Sequence, residues 1–288
     1  AHHRRLAFLG TPMASVRPLL ALHEAGHDIV VVVTGEDRRR SRRAEPSPSP
    51  VKEAALGLGL PVAHELAAVR ESGAGLGVVV AYGHIIPADL LAAVPMVNLH
   101  FSLLPRWRGA APVERAILAG DTTTGVCVMA VDVELDTGAI FASIEVPIGP
   151  DETADSLRDR LVDAGAGLLV ETLGAGLGEP TQQEGEPVYA HKITQADLEL
   201  DWSRPASELE RIVRVGGAWT TFRGRRLKVW AARLADGVDG VPGSLLGDTV
   251  ATGRGALRLV EVQPESRGRQ PAEAWLVGAR TEPGESLG

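Results

Sequence analysis

Cysteine is almost missing from this sequence: among 288 residues only Cys127 carries a thiol. One thiol cannot form a disulfide within the chain, and a cysteine-rich zinc site is excluded. Cys127 lies in the apolar run Gly125–Met129, where a thiol fills a core rather than attacks a substrate. Long apolar runs are missing as well. None approaches 18 residues, so no membrane span is expected. The apolar stretch behind the first five residues is too short for a signal-peptide core. A cytoplasmic monomer without a membrane partner is the expectation. No Gly-x-Gly-x-x-Gly follows the first apolar strand, which argues against a dinucleotide cofactor. No serine sits in a Gly-x-Ser-x-Gly elbow. The eight histidines show no metal-ligand spacing, and no metal is expected.

What is present describes an ordinary globular chain, with 44% hydrophobic and 23% charged residues. The net charge is −8, which argues mildly against a general nucleic-acid binder. The charge is uneven: residues 201–288 hold 13 Lys+Arg against 11 Asp+Glu, and the first 200 hold 16 against 26. Within that acidic part sits one dense basic run, with Arg38, Arg39, Arg40, Arg42 and Arg43 in six residues. Such a patch on an acidic body still suits RNA. As a charge run it equally suits a solvated loop.

Residues 6–10, 27–34, 76–82 and 95–100 are apolar throughout rather than alternating, which suits parallel strands buried on both faces. Helical stretches separate them at 12–24, 51–58, 65–72, 87–93 and 111–119. The alternation predicts an open, mostly parallel α/β sheet. Strands at 126–131 and 140–146 and a long helix at 153–173 complete it. A glycine-rich polar stretch, Gly174 to Glu186, reads as a linker. Beyond it, short strands such as 227–231 and 257–261 alternate with turns, the pattern of a small β-barrel. The chain is therefore divided into residues 1–180, a linker at 181–200, and residues 201–288.

Asn98 and His100 close one of the apolar strands, and alternation puts both side chains on one face. Ligands of open α/β sheets bind beyond the carboxyl ends of the strands. Asp136 follows in a turn that Gly138 lets bend tightly. An amide, an imidazole and a carboxylate meeting there suit acyl transfer to an amine. The histidine manages protons near neutral pH, the amide stabilises an oxyanion, and the carboxylate orients the imidazole. Each residue taken singly also has a bland explanation, as turn cap, satisfied histidine and turn former.

The stretch NLHFSLLPRWRGAAP at 98–112 resembles the signature of the methionyl-tRNA formyltransferases, within the wider folate-dependent formyltransferase group. FLGTP at 8–12, PSPVK at 48–52, VVVAYG at 78–83, residues 125–138, HKI at 191–193 and DW at 201–202 resemble further segments of that family, in its order. The resemblance implies a Rossmann-like domain holding 10-formyltetrahydrofolate and a small OB-like C-terminal barrel that helps hold tRNA. It implies formyl transfer to the amino group of charged initiator methionyl-tRNA, without a metal. The family's catalytic trio falls on Asn98, His100 and Asp136. Its folate loops fall on Ser102, Leu103, Leu104 and Pro105, and on Tyr82, Gly83, His84, Ile85, Ile86 and Pro87. The loop it inserts at the acceptor stem falls on residues 35–47, with Arg38, Arg39, Arg40, Arg42 and Arg43 toward the RNA. Arg223, Arg225, Arg226 and Lys228 would add phosphate contacts. Phe101 replaces the family's small glycine, and the segments near 61–76 and 215–219 are short. These departures leave open a second acceptor class, a small amine such as an amino sugar.

Overall fold

The computed structural model describes residues 4–39, 45–238 and 240–288. The chain falls into two units, one of Ala1–Val113, Thr123–Pro147 and Leu157–His191, the other of Glu114–Thr122, Ile148–Ser156 and Lys192–Gly288.

The first unit is built on seven strands: β1 Arg5–Gly10, β2 Asp28–Val33, β3 Val62–Ala63, β4 Leu76–Val80, β5 Met96–His100, β6 Thr123–Ala130 and β7 Ile140–Pro147. Their order is β7-β6-β5-β4-β1-β2-β3. From β3 to β5 every pairing is parallel. β6 and β7 then join antiparallel. The apolar runs are buried as their composition requires: Leu6, Ala7, Phe8 and Leu9 of β1 are all 0% exposed. The two-residue β3 is too short to carry a periodic signal, and sequence analysis missed it.

The connecting helices are α1 Val16–Glu24, α2 Pro50–Gly57, α3 Ala67–Glu71, α4 Ala88–Ala93, α5 Pro112–Ala119 and α6 Ala154–Ala175. α2 starts where it does because the Ser49 hydroxyl accepts the Lys52 N–H at 3.0 Å, with Pro50 at its first turn. In α6, Leu157, Leu161, Leu169 and Leu173 form a buried row at four-residue spacing. Gly165 stands in the same row. A Cβ there would lie 3.1 Å from side-chain atoms of Leu99 and Val126, so glycine lets the helix lie close against β5 and β6. That contact fills one face of β5 and leaves the other to Asn98 and His100.

In the second unit the named strands all pair antiparallel. Its strands are β8 Trp219–Phe222, β9 Arg225–Ala235, β10 Leu245–Leu246, β11 Thr249–Ala251, β12 Ala256–Pro264 and β13 Gln270–Pro271. They run β8-β9-β12-β11-β10, with β13 beside β12. Two helices, α7 Ala206–Val215 and α8 Ala272–Ala279, pack into the same core. Sequence analysis expected only strands and turns here, although Leu209, Ile212 and Val213 carry a helical spacing and are buried.

Residues 285–288 tie the two outer strands together. Leu245 donates its N–H to the Glu285 carbonyl, Leu287 to that of Gly243, and Gly288 to that of Thr221. These bonds close the sheet into a barrel and leave neither β8 nor β10 as a bare edge. Arg223 holds Glu285 through two bonds of 2.6 and 2.9 Å. Leu287, 3% exposed, plugs the core among Phe222, Leu245 and Trp275. Leu287→Ala is expected to lower stability by about 2–5 kcal/mol in urea unfolding. An unchanged midpoint would show that the closure carries no stability.

Candidate active site

The site grows from the end of β5. In the ladder with β6, Asn98 stands opposite Met129, Leu99 opposite Val128 and His100 opposite Cys127. Directly opposed residues share a face, so Asn98 and His100 lie beside Met129 and Cys127, and Leu104 packs against those two. His100 is 6% exposed and Asn98 half-buried. No hydrogen bond engages the Asn98 amide among the described residues, and it stays available to a ligand.

The chain behind β5 turns back on the imidazole. The Ser102 hydroxyl donates to the Arg106 carbonyl at 2.7 Å and fastens the loop on itself. Trp107 adopts a left-handed backbone, φ 64°, and its carbonyl meets His100 Nε2 at 2.9 Å. A carbonyl only accepts, so Nε2 carries a proton and Nδ1 is the atom at which the ring takes up or gives back another. Nδ1 stands 3.7 Å from Oδ2 of Asp136. That exceeds hydrogen-bond length yet keeps a carboxylate beside any imidazolium that forms.

Asp136 also has a left-handed backbone, φ 52°. Its loop leaves β6 at Ala130, opposite Val97 near the start of β5, and returns along the sheet to the level of His100. The Gly109 N–H donates to Asp136 Oδ2 at 2.8 Å. Gly109 has φ 118°, and a Cβ on it would stand 2.9 Å from the Ala190 carbonyl oxygen. Only glycine fits there, because the short pair Arg108–Gly109 and Tyr189–Ala190 runs side by side.

One polar residue of this site went unnoticed in the sequence. Gln183 donates from Nε2 to the carbonyls of Asp136 and Gly138, at 2.9 and 2.8 Å. Its Oε1 accepts from Arg108, at 3.0 and 2.7 Å. A glutamine in a polar, glycine-rich stretch carries no signal of its own.

The loops expected to hold folate leave the C-terminal ends of the neighbouring parallel strands β4 and β5. In the first, Tyr82 and Ile86 are buried, whereas Gly83, His84 and Pro87 are exposed and Ile85 stands 88% exposed. Burial pushes the Tyr82 hydroxyl up, and the Glu65 charge adds to the push. Ala81, φ 46°, and Gly83, φ 78°, take left-handed backbone conformations. In the second, Ser102 is 0% exposed and Leu104 is 8% exposed. Their side chains hold the loop, while Leu103 and Pro105 are half-buried. Cys127 is 1% exposed, and burial pushes its thiol up, the state of an inert core residue.

Arg38 and Arg39 are exposed, on a two-residue ladder with Pro46–Ser47. Arg40, Arg42 and Arg43 lie outside the described residues. In the second unit the four cations singled out in the sequence have partners. Arg223 holds Glu285, and Arg225 is 3.5 Å from Glu265. Arg226 lies over the Trp219 ring and Lys228 over that of Trp230. A cleft of about 600 Å³ beside them is bordered by Arg225, Arg267, Arg269 and Trp275. Among the described residues no cluster of His, Cys, Asp and Glu is arranged to hold a metal ion.

Residues 4–173 match the family model described as formyl transferase. Residues 192–280 match the one described as formyl transferase, C-terminal domain. A methionyl-tRNA formyltransferase of Symbiobacterium thermophilum is 42% identical over 306 residues, spanning 97% of this chain and 94% of its own length. One of Cereibacter sphaeroides is 43% identical over 294 residues, spanning 95% and 96%. The crystal structure of an N-formyltransferase from Helicobacter canadensis, in complex with folinic acid and dTDP-3-aminofucose, superposes with a TM-score of 0.71. It covers 91% of this chain and 100% of that one at 16% identity, a likeness of fold alone.

Gly109→Ala places a methyl against the Ala190 carbonyl and moves the amide that holds Asp136. Turnover is expected to fall roughly 100-fold, the scale of a 1 Å misplacement at a reacting centre. Steady-state kinetics beside a thermal melt tests this, and wild-type turnover in a folded variant would contradict it.

Proposed function

The chain belongs to the formyltransferase family in both its domains, and we propose that Asn98, His100 and Asp136 serve it in formylating the amino group of methionyl-tRNA. The donor, 10-formyltetrahydrofolate, supplies the formyl carbon. The product, N-formylmethionyl-tRNA, is used to initiate translation, work that belongs to the cytoplasm. The observation that carries the reading is the convergence of a half-exposed amide, an imidazole with Nδ1 turned to a carboxylate, and two loops from neighbouring strand ends.

This geometry fits the donor. Among the described residues the Asn98 amide has no hydrogen-bond partner, and the backbone at 81–87, left-handed at Ala81 and Gly83, offers N–H and C=O groups to a flat heterocycle beside an exposed Ile85. Ser102, Leu103, Leu104 and Pro105 form the facing loop, and Tyr82 and Ile86 anchor the other one. In the reaction, the Asn98 N–H donates to the carbonyl oxygen as charge develops on it. His100 Nδ1 takes the proton shed by the attacking amine and gives it to the leaving folate nitrogen as the bond from that nitrogen to the formyl carbon breaks, while Nε2 stays on the Trp107 carbonyl. The Asp136 carboxylate balances the imidazolium so formed. Holding amine and donor together supplies a further share of the rate.

The basic loop at 35–47 meets the acceptor stem, with Arg38, Arg39, Arg40, Arg42 and Arg43 on phosphates or stacked on exposed bases. Five cations in six residues support that role within an otherwise acidic sequence.

Incubating the protein with 10-formyltetrahydrofolate and charged methionyl-tRNA should give formyl-methionyl-tRNA on an acid gel, and none with uncharged tRNA. No conversion by folded, folate-binding protein would overturn the assignment of the acceptor. His100→Ala and Asp136→Asn are each expected to cut kcat by about 10²–10⁴ without unfolding the chain, and near wild-type turnover in either would remove that residue from the mechanism. Changing the five loop arginines to glutamine should raise KM for tRNA and spare folate binding. Unchanged tRNA kinetics would exclude the loop.

A further inference from the structure

Asp136 must face His100 from a loop whose backbone is left-handed at the aspartate itself. A non-glycine residue holds that conformation only where its surroundings over-determine it. The Gly109 amide fixes one carboxylate oxygen but does nothing for the backbone that carries the carboxylate. The backbone is held from elsewhere. Both N–H groups of the Gln183 amide are spent on it, one on the Asp136 carbonyl and one on that of Gly138. The other end of the same amide accepts two N–H groups from Arg108, the residue next to Gly109. Gln183 thus spans the two loops that meet at the carboxylate.

The segment bearing Gln183 is itself pinned at both ends. Thr181 and Ile140 exchange a pair of backbone hydrogen bonds at 2.8 Å. Val188 donates to the Pro105 carbonyl and accepts from the Arg108 N–H. A side chain on so short and fixed a span has little freedom to move. The stretch that composition marks as a linker is a brace.

We infer that Gln183 is a positioning residue for the reaction, holding the Asp136 backbone in the left-handed turn that aims its carboxylate at His100 Nδ1. The inference rests on the assignment of His100 and Asp136 to formyl transfer. Its chemistry is specific to an amide. Two donors and an acceptor are needed at opposite ends of one planar group, and no other side chain of this length supplies them. Glutamate keeps the acceptor for Arg108 but turns oxygens toward two carbonyls. Alanine removes both ends.

The test compares wild type with Gln183→Glu and Gln183→Ala in formyl transfer, and follows the His100 ring by its NMR chemical shift, the signal assigned by loss in His100→Ala. Both variants should lose kcat by roughly 10–100-fold, with KM for methionyl-tRNA and for 10-formyltetrahydrofolate within about twofold of wild type. In both, the His100 ring signal should move toward its position in Asp136→Asn. Wild-type kcat in Gln183→Glu, or an unmoved His100 ring signal in either variant, would overturn the proposal. Gln183→Glu is nearly the size of glutamine, so it decides the matter should the alanine variant fail to fold. If the wild-type protein itself formylates no methionyl-tRNA, the reading of function fails, and the His100 ring signal still decides the role of Gln183.

Discussion

The hydrogen bond from the Gly109 amide to the Asp136 carboxylate joins two loops that start from opposite ends of neighbouring strands. The first follows β5 and contains Trp107, whose carbonyl fixes the imidazole. The second follows β6 and must return along the sheet before its carboxylate can face that imidazole. Neither loop places its group alone. The backbone on both sides takes unfavourable conformations, left-handed at Trp107 and Asp136 and open only to glycine at Gly109. Such strain of order 1–3 kcal/mol per residue survives where the surrounding structure leaves no alternative. Here the surroundings are the packed sheet beneath and the 181–190 segment alongside.

That arrangement explains an unusual division of labour in the loop behind β5. Most of its side chains do not face outward. Ser102 and Leu104 are buried, and their hydroxyl and isobutyl groups hold the loop in shape. In the proposed function, recognition of a ligand falls to the backbone and to Asn98. A rigid backbone presents donors and acceptors without the entropic cost of ordering long side chains. The sheet supplies the rigidity, since α6 fills its other face through the close approach at Gly165.

Much of this was legible in the sequence because it rests on local patterns. Uninterrupted apolar runs announced the parallel strands. Alternation placed Asn98 and His100 together, and the glycine after Asp136 marked its turn. What escaped depends on distant partners. Gln183 acts on Asp136 and Arg108, 47 and 75 residues away, and nothing around it distinguishes it from other polar residues. Arg223 and Arg225 read as free cations because Glu285 and Glu265 stand 62 and 40 residues further on. Helix α7 is a different case. Its apolar spacing was present, but neighbouring short strands drew the whole region into one expectation of β structure.

The closure of the barrel by residues 285–288 has a bearing on how the protein is made. Phe222 and Leu287 are bridged partners, yet 64 residues separate them in the chain. During synthesis, the Leu245 N–H and the carbonyls of Gly243 and Thr221 wait for residues 285–288, whereas Trp219 of β8 already has Leu198 and Leu200 as partners. Throughout that interval the nascent barrel keeps an open seam between β8 and β10, and a sheet with unpaired edge groups is prone to join another chain. The segment 285–288 is therefore the one that ends the period of greatest vulnerability to aggregation.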